Sequence, residues 1–258
     1  MFGLKIDRIT TAAACERIVR WATGRPVRVR IVVTPNLDHV VRLATDSGLR
    51  RLYRQASLVL ADGMPLVWAS RMKGDPLPER VAGADLVVPV CQAAARAGLT
   101  VALLGPCERT LDRAIARLDL LAPGLHVVAR HAPSMGFIRD AAECARMIEM
   151  VNVMQPDIVF VALGSPQQEI WGFAAQAQLK AKVVLCVGAG LDFVAGTRSR
   201  AAIWVRRLGM EWLHRALTEP CRLGPRYLRN ALRLPGLIAR EMAPAPAAAL
   251  RRPQVLAP

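Results

Sequence analysis

The feature that most constrains the fold is a regular alternation along the chain. Short runs rich in β-branched and other apolar residues lie at 27–34, 57–61, 100–104, 125–130, 158–163 and 183–187. Between them lie longer segments of helical period, at 37–55, 65–72, 84–97, 109–121, 141–154 and 171–179. Strands that alternate with helices are typical of βαβ units. We predict an α/β fold, with a Rossmann-like, mostly parallel sheet flanked by helices, over residues 1–197.

The charge is concentrated at the C-terminal end. The chain of 258 residues has a formal net charge of +15. Residues 198–258 contain twelve Arg but only three Glu. We therefore expect a second unit, a basic, amphipathic and helical appendage at 198–242. The Ala- and Pro-rich stretch 243–258 is expected to be a disordered tail.

This basicity favours a polyanionic partner, which includes nucleic acid, anionic lipid and phosphorylated substrates. No apolar run approaches the roughly 20 residues needed to span a bilayer, and charges interrupt the first 24 residues, so they do not resemble a secretory signal. We expect the protein to stay in the cytoplasm. The six cysteines form no CxxC pair, so buried free thiols are expected.

Polar residues follow the first two predicted strands. Thr34 and Asn36 stand after the first strand, and Asp62 follows the second. Ligands of open α/β sheets bind outside the carboxyl ends of the strands. Each of these residues also has a simpler structural interpretation. Thr34 or Asn36 can cap the following helix, and Asp62 with the next glycine forms an ordinary turn pair. A carboxylate at a strand end is nonetheless well placed to act as a general base.

The loop at 79–85 carries a second set of candidate binding residues, Arg80, Gly83 and Asp85. A guanidinium at a loop end suits a bidentate contact with phosphate. Asp85 has the alternative role of an acidic residue in the first turn of a helix.

Two further glycine-containing loops follow the last two strands. The first contains Gly164, Gln167, Gln168 and Glu169 and leads into a helix, whose free N–H groups favour a phosphate or a polar base edge. The second contains Gly190 and Asp192. Its GxG lacks the third glycine of a dinucleotide fingerprint because position 193 is Phe, which disfavours a nicotinamide enzyme. The sequence has no HExxH, Walker or Asp-x-Asp motif, so we expect metal-independent chemistry without a cofactor.

Six motifs occur in one order. They are TPNLDH at 34–39, ADGMP at 61–65, ERVAGADL at 79–86, GSPQQEIW at 164–171, VGAGLDFVAGTRSRA at 187–201 and EWLHR at 211–215. Together they resemble the WecG/TagA/CpsF glycosyltransferases, glycosyltransferase family 26, over about residues 5–230.

The resemblance implies inverting transfer of a sugar from a UDP donor to a polyprenyl-diphosphate-linked sugar, in cell-surface or exopolysaccharide synthesis. It implies Asp62 as the base, Thr34 and Asn36 beside the reacting sugars, and Gln168 and Glu169 as donor contacts. It also implies an arginine-rich appendage that closes over the site at the membrane, and this appendage corresponds to Arg215, Arg222 and Arg226. The resemblance therefore implies a membrane-proximal segment 198–242 and a protein attached peripherally to the inner face of the cytoplasmic membrane.

The donor sugar stays open, since N-acetylmannosamine, its uronic acid and glucose all fit the resemblance. Gln167 replaces the family's usual lysine, and the loop at 132–136 also departs from the family pattern. Two other classes compete with the transferase: a nucleic-acid-binding protein that uses the basic end, and a non-catalytic sugar-nucleotide scaffold of the same fold. The first is disfavoured because no nucleic-acid-binding signature accompanies the charge. Self-association into a homo-oligomer is left open.

Overall fold

The computed structural model describes residues 1–25, 27–202, 205, 210–211, 213 and 220–242. Its centre is one six-stranded sheet in which all neighbouring strands are parallel, in the order β2-β1-β6-β5-β3-β4. The strands are β1 Arg30–Val33, β2 Leu58–Val59, β3 Thr100–Leu104, β4 His126–His131, β5 Ile158–Val161 and β6 Val183–Cys186. The predicted parallel α/β fold is confirmed.

Ten α-helices accompany the sheet within the described part of the chain. They are α1 Thr11–Thr23, α2 Leu37–Thr45, α3 Ser47–Tyr53, α4 Met64–Met72, α5 Gly83–Arg96, α6 Glu108–Leu121, α7 Ala141–Met154, α8 Gln167–Ala175, α9 Gly190–Ala195 and α10 Pro220–Met242. A short 3-10 turn, Phe137–Arg139, precedes α7.

The central strands bury both faces because their residues alternate in direction. Leu103, Phe160 and Leu185 point to one side, where α1, α5, α6 and α9 pack. Leu104 and Val161 point to the other side, against α3, α7 and α8. Sheets covered by helices on both faces have strands that are apolar throughout, as seen here.

The segment 37–55 is two helices rather than the single predicted one. Asp46 ends α2 and begins α3 in an extended conformation, with φ −106° and ψ 101°. Its side chain accepts a hydrogen bond from the backbone N–H of Leu49 at 2.8 Å. An Asp at a helix start satisfies N–H groups that have no partner within the helix. Helix α8 starts at Gln167, four residues before the predicted start, and α1 and α9 were not predicted as helices.

Helix α10 belongs to the segment predicted as a basic appendage, and it packs against α2. Leu237 joins a small apolar cluster with Val40, Ala61, Leu66 and Leu77. Glu241 accepts a hydrogen bond from the backbone N–H of Phe2 at 2.5 Å and pairs with Lys73. None of the described helices is both long enough and apolar enough to cross a membrane.

The prediction of buried thiols holds for part of the set. Cys15, Cys91 and Cys186 are free and buried, whereas Cys144 is half-buried and Cys107 is exposed. Cys107 is wrongly predicted because it immediately precedes α6 on the loop after β3, at the surface.

Candidate functional site

The sheet order brings the predicted site loops together. Strands β2, β1, β6 and β5 are consecutive neighbours, so the residues that follow them meet at one edge. The Thr34 hydroxyl, after β1, donates to the carbonyl oxygen of Cys186 at the end of β6, at 3.3 Å. The backbone N–H of Asp62 donates to the carbonyl of Pro35 at 2.9 Å. These two contacts hold Thr34 and Asp62 at the carboxyl edge, as predicted.

Asn36 caps α2, which confirms its structural role. Its Oδ1 accepts hydrogen bonds from the backbone N–H groups of Asp38 at 3.0 Å and His39 at 3.4 Å. The backbone N–H of Asn36 in turn donates to Nδ1 of His39 at 3.2 Å. This reciprocal box fixes the loop beside Thr34 in one conformation.

Asp62 is the perturbed carboxylate of the site. Burial raises its pKa from 3.8 to about 6, against the opposing effect of the Arg80 guanidinium. Arg80 Nη1 lies 3.6 Å from Asp62 Oδ1, and the Asp62 side chain keeps 27% of its exposure. A carboxyl group that is partly accessible and titrates near neutrality is suited to take up a proton.

Arg80 is surrounded by further charges. Its Nη2 donates to Asp85 Oδ2 at 2.7 Å, and its Nη1 donates to Glu211 Oε2 at 3.3 Å. Arg200 Nη2 lies 2.7 Å from the other oxygen of Asp85, and its Nε lies 3.7 Å from Glu211 Oε1. Asp85 therefore does more than begin a helix, since it links two arginines.

Gly83 allows this loop to approach β1 and β6 closely. A Cβ atom at position 83 would lie 2.8 Å from the Thr34 hydroxyl oxygen and 3.0 Å from the Cα of Val187. Gly190 is equally confined, since a Cβ there would lie 2.8 Å from Val87. Both glycines predicted as binding residues are thus required for packing at this edge.

Gln168 and Glu169 are almost completely buried, with 3% and 1% exposure. Gln168 Nε2 donates to Glu169 Oε1 at 2.7 Å, and the Gly188 N–H donates to Gln168 Oε1 at 3.1 Å. His39 Nε2 lies 3.6 Å from the same Glu169 oxygen. Although burial disfavours ionisation, the contacts with His39 and Gln168 lower the pKa of Glu169 below its ordinary value. The pair ties the loops after β5, β6 and β1 together.

Of the remaining predicted residues, Gly164 and Gln167 follow β5 and Asp192 follows β6. Gly164 has a left-handed φ of +76° and is exposed, and Gln167 begins α8 half-buried. Asp192, on α9, pairs with Arg198 at 3.8 Å and accepts a hydrogen bond from the Thr197 hydroxyl at 3.3 Å. Arg215 lies outside the described residues, and of Arg222 and Arg226 the structure describes the backbone in α10 but not the side chains.

Three residues of this site were absent from the predicted set: His39, Arg200 and Glu211. Each lies within a motif singled out in the sequence, at 34–39, 187–201 and 211–215. No pattern along the chain indicates that Glu211 meets Arg80, because 131 positions separate them. Within the described part of the chain, no group of three His, Cys, Asp or Glu side chains is arranged to hold a metal ion.

The fold and the edge define an α/β protein with a candidate ligand site at the carboxyl ends of its parallel strands, where a carboxylate lies beside a guanidinium. A sequence model of the glycosyl transferase WecG/TagA/CpsF family matches residues 1–247. The chain therefore belongs to the WecG/TagA/CpsF family of glycosyltransferases.

Relatives with a named activity agree with this assignment. The chain is 29% identical over 224 residues to proteins of Staphylococcus aureus strains MRSA252 and NCTC 8325. The similarity covers 87% of this chain and 86% of each relative. Both relatives are named N-acetylglucosaminyldiphosphoundecaprenol N-acetyl-beta-D-mannosaminyltransferase.

Proposed function

We propose that this glycosyltransferase moves a sugar from a UDP donor to a sugar linked to a polyprenyl diphosphate, with Asp62 as the general base. The observation that carries the proposal is the Asp62 carboxylate, whose pKa burial raises to about 6, beside Arg80 at the carboxyl edge of the sheet. The names of the relatives support an N-acetylhexosamine as the sugar transferred and a lipid-linked diphosphate as the acceptor.

The pKa of Asp62 suits a general base. An inverting transfer needs a group that takes the proton from the acceptor hydroxyl as that oxygen attacks the donor sugar. With a pKa of about 6, Asp62 is ionised at neutral pH and holds a proton more strongly than an ordinary carboxylate does. We place Thr34 and Asn36 beside the reacting sugars, because both residues lie on the loop whose Pro35 carbonyl accepts the Asp62 N–H.

The donor diphosphate needs positive charge and N–H donors. Arg80 supplies a guanidinium that suits phosphate oxygens. The first turn of α8, with Gly164 before it and Gln167 within it, supplies backbone N–H groups at a helix start. In this proposal arginine and helix N–H groups stabilise the leaving diphosphate without a metal ion, so transfer is expected to persist in EDTA.

The appendage is proposed to meet the membrane. Leu228 and Leu232 are one turn apart on α10, and their side chains are 63% and 74% exposed. On α4, Trp68 and Met72 also expose apolar side chains. Apolar side chains beside arginines suit an anionic lipid surface. We place Arg215, Arg222 and Arg226 near the acceptor diphosphate and the protein on the inner face of the cytoplasmic membrane, in exopolysaccharide or related surface-polymer synthesis.

The test is transfer of labelled sugar from a panel of UDP-sugars into a lipid-extractable product, with a polyprenyl-diphosphate-linked N-acetylglucosamine as the acceptor. We expect one donor to be used by the native protein and turnover to fall at least 100-fold in Asp62→Asn. Asp75→Asn is the matched control, since Asp75 is exposed and pairs with Arg8. Equal turnover in Asp62→Asn and Asp75→Asn would exclude Asp62 as the base.

A further inference from the structure

Four charged side chains form a closed ring in which the signs alternate. Arg80 contacts Asp85 at 2.7 Å and Glu211 at 3.3 Å, while Arg200 contacts Asp85 at 2.7 Å and Glu211 at 3.7 Å. We call these four residues the ion ring. Each carboxylate bridges the two guanidinium groups, with one oxygen toward each.

The ring joins the appendage to the core. Arg80 and Asp85 lie before and within the first turn of α5, whereas Glu211 belongs to the appendage segment 198–242. The side chains of the ring are between 16% and 25% exposed. Ion pairs at such partly buried positions are screened less than those on an open surface.

Glu211 and Asp62 share one nitrogen of Arg80. Nη1 of Arg80 lies 3.3 Å from Glu211 Oε2 and 3.6 Å from Asp62 Oδ1. Its hydrogen bond goes to Glu211 and not to Asp62. The Asp62 carboxylate is thus close to a guanidinium without forming a tight pair with it.

We propose that Glu211 is a positioning residue that holds the Arg80 guanidinium off Asp62, so that Asp62 is fully basic only when the appendage is seated on the core. A tight pair with Arg80 would stabilise the ionised form of Asp62 and weaken it as a proton acceptor. The contact therefore makes the strength of the base depend on the appendage.

The groups that face Asp62 are consistent with this role. Burial raises its pKa, Arg80 lowers it, Glu211 and Asp85 raise it, and His39 lowers it. Removing the Glu211 charge takes away one of the raising effects and releases Nη1 toward Asp62. Both consequences act in the same direction.

The experiment is a titration of the Asp62 carboxyl carbon by NMR in the full-length protein with ¹³C-labelled aspartate, where Asp62→Asn identifies the resonance. In Glu211→Gln we expect the pKa of Asp62 to fall by about one unit. The rising limb of kcat/KM against pH should move to lower pH by the same amount. Glu241→Gln is the matched control, because Glu241 is an appendage carboxylate that pairs with Lys73 instead, and it should leave the pKa of Asp62 unchanged.

An unchanged or increased pKa of Asp62 in Glu211→Gln would overturn the inference, as would an equal fall in both variants. The inference rests on the proposed role of Asp62 as the base, and the experiments distinguish failure of the inference from failure of that proposed role. Full turnover in Asp62→Asn would show that Asp62 is not the base, whereas the titration would still test whether Glu211 affects the pKa of Asp62. If Glu211→Gln leaves the pKa of Asp62 unchanged, Glu211 has no positioning role, but the proposal that Asp62 is the base is unaffected.

Discussion

At the scale of single residues, Asp62 illustrates a conflict between activity and stability. Its pKa is raised to about 6 in the folded chain, from 3.8 for an ordinary aspartate. As the pH rises from about 4 to about 6, the unfolded chain gives up this proton first, so the free energy of unfolding decreases. Above pH 6 both states are ionised and the penalty stays constant.

We therefore predict that Asp62→Asn is more stable than the native protein at pH 7.5, by about 3 kcal/mol. Urea unfolding at several pH values measures this, and the stability difference should shrink as the pH falls below 6. Asp75→Asn should show no such pH-dependent gain, since Asp75 is exposed beside Arg8. A constant difference between native protein and Asp62→Asn from pH 4 to 8 would contradict the prediction.

A second prediction at this scale concerns Gly83. Its Cβ position is crowded by Thr34 at 2.8 Å and by the backbone of Val187 at 3.0 Å, so Gly83→Ala must displace one of them. We expect a loss of about 1–3 kcal/mol in the free energy of unfolding, together with lower turnover because Thr34 moves.

Gly172→Ala provides the matched comparison for Gly83→Ala. Gly172 lies inside α8, and a Cβ there would lie 3.5 Å from Val184, an ordinary contact. An alanine in a helix interior with enough space adds about 0.5–1 kcal/mol of stability. Urea unfolding should give opposite signs for the two variants, and a loss of similar size in both would show that crowding at position 83 is unimportant.

At the scale of elements, the sequence predicts what depends on local periodicity. The bounds of β3 and α7 are those expected from the pattern. The segment 37–55 was predicted as one helix because its apolar positions continue at helical spacing, while the break at Asp46 depends on one side chain that caps α3. The short α9 carries too few turns for a periodic signal.

The sequence predicts the site residues that directly follow the strands of the sheet. Thr34, Asp62 and Gly190 each follow a strand, so the parallel sheet alone places them at one edge. The contacts His39–Glu169 and Arg80–Glu211 join residues more than 100 positions apart. Such pairs are set by how helices and the appendage pack on the sheet, which periodicity does not encode.

The anchoring of α10 gives a prediction at this scale. Asn230, 2% exposed, donates to Asp38 Oδ1 at 3.4 Å, and Arg229 pairs with the same oxygen at 3.3 Å. Asp38 follows Asn36 by two positions, so α10 is fastened beside the predicted catalytic loop. Removing a buried hydrogen-bonding partner costs about 1–3 kcal/mol, and in Asn230→Ala we expect α10 to dock more weakly.

Hydrogen exchange measures this docking. Backbone amides at 229–242 should exchange faster in Asn230→Ala, while amides of the sheet keep their protection. Arg233→Ala is the control on the same helix, because residue 233 is exposed. Equal exchange rates at 229–242 in the two variants would show that Asn230 does not anchor the helix.

At the scale of the whole molecule, the described apolar core lies almost entirely before the appendage. Among the residues that the structure describes, the buried members of the two large clusters on either face of the sheet lie between Leu4 and Ala195. Leu237 of α10 packs against the small cluster formed by Val40, Ala61, Leu66 and Leu77. The sheet should therefore fold without the appendage, although losing contacts such as that of Leu237 lowers its stability.

We predict that residues 1–197 fold on their own and lose transfer activity, because the truncation removes Glu211 and the arginines of the appendage but neither large core cluster. Far-UV circular dichroism should retain its α/β signature, and urea unfolding should stay cooperative at a lower midpoint. Leu237→Ala in the full chain removes one apolar contact without removing the whole segment. Its urea midpoint should lie between that of the native chain and that of residues 1–197. A truncated chain without a cooperative transition would mean that the appendage is part of the folding unit, and the boundary near residue 197 would then be wrong.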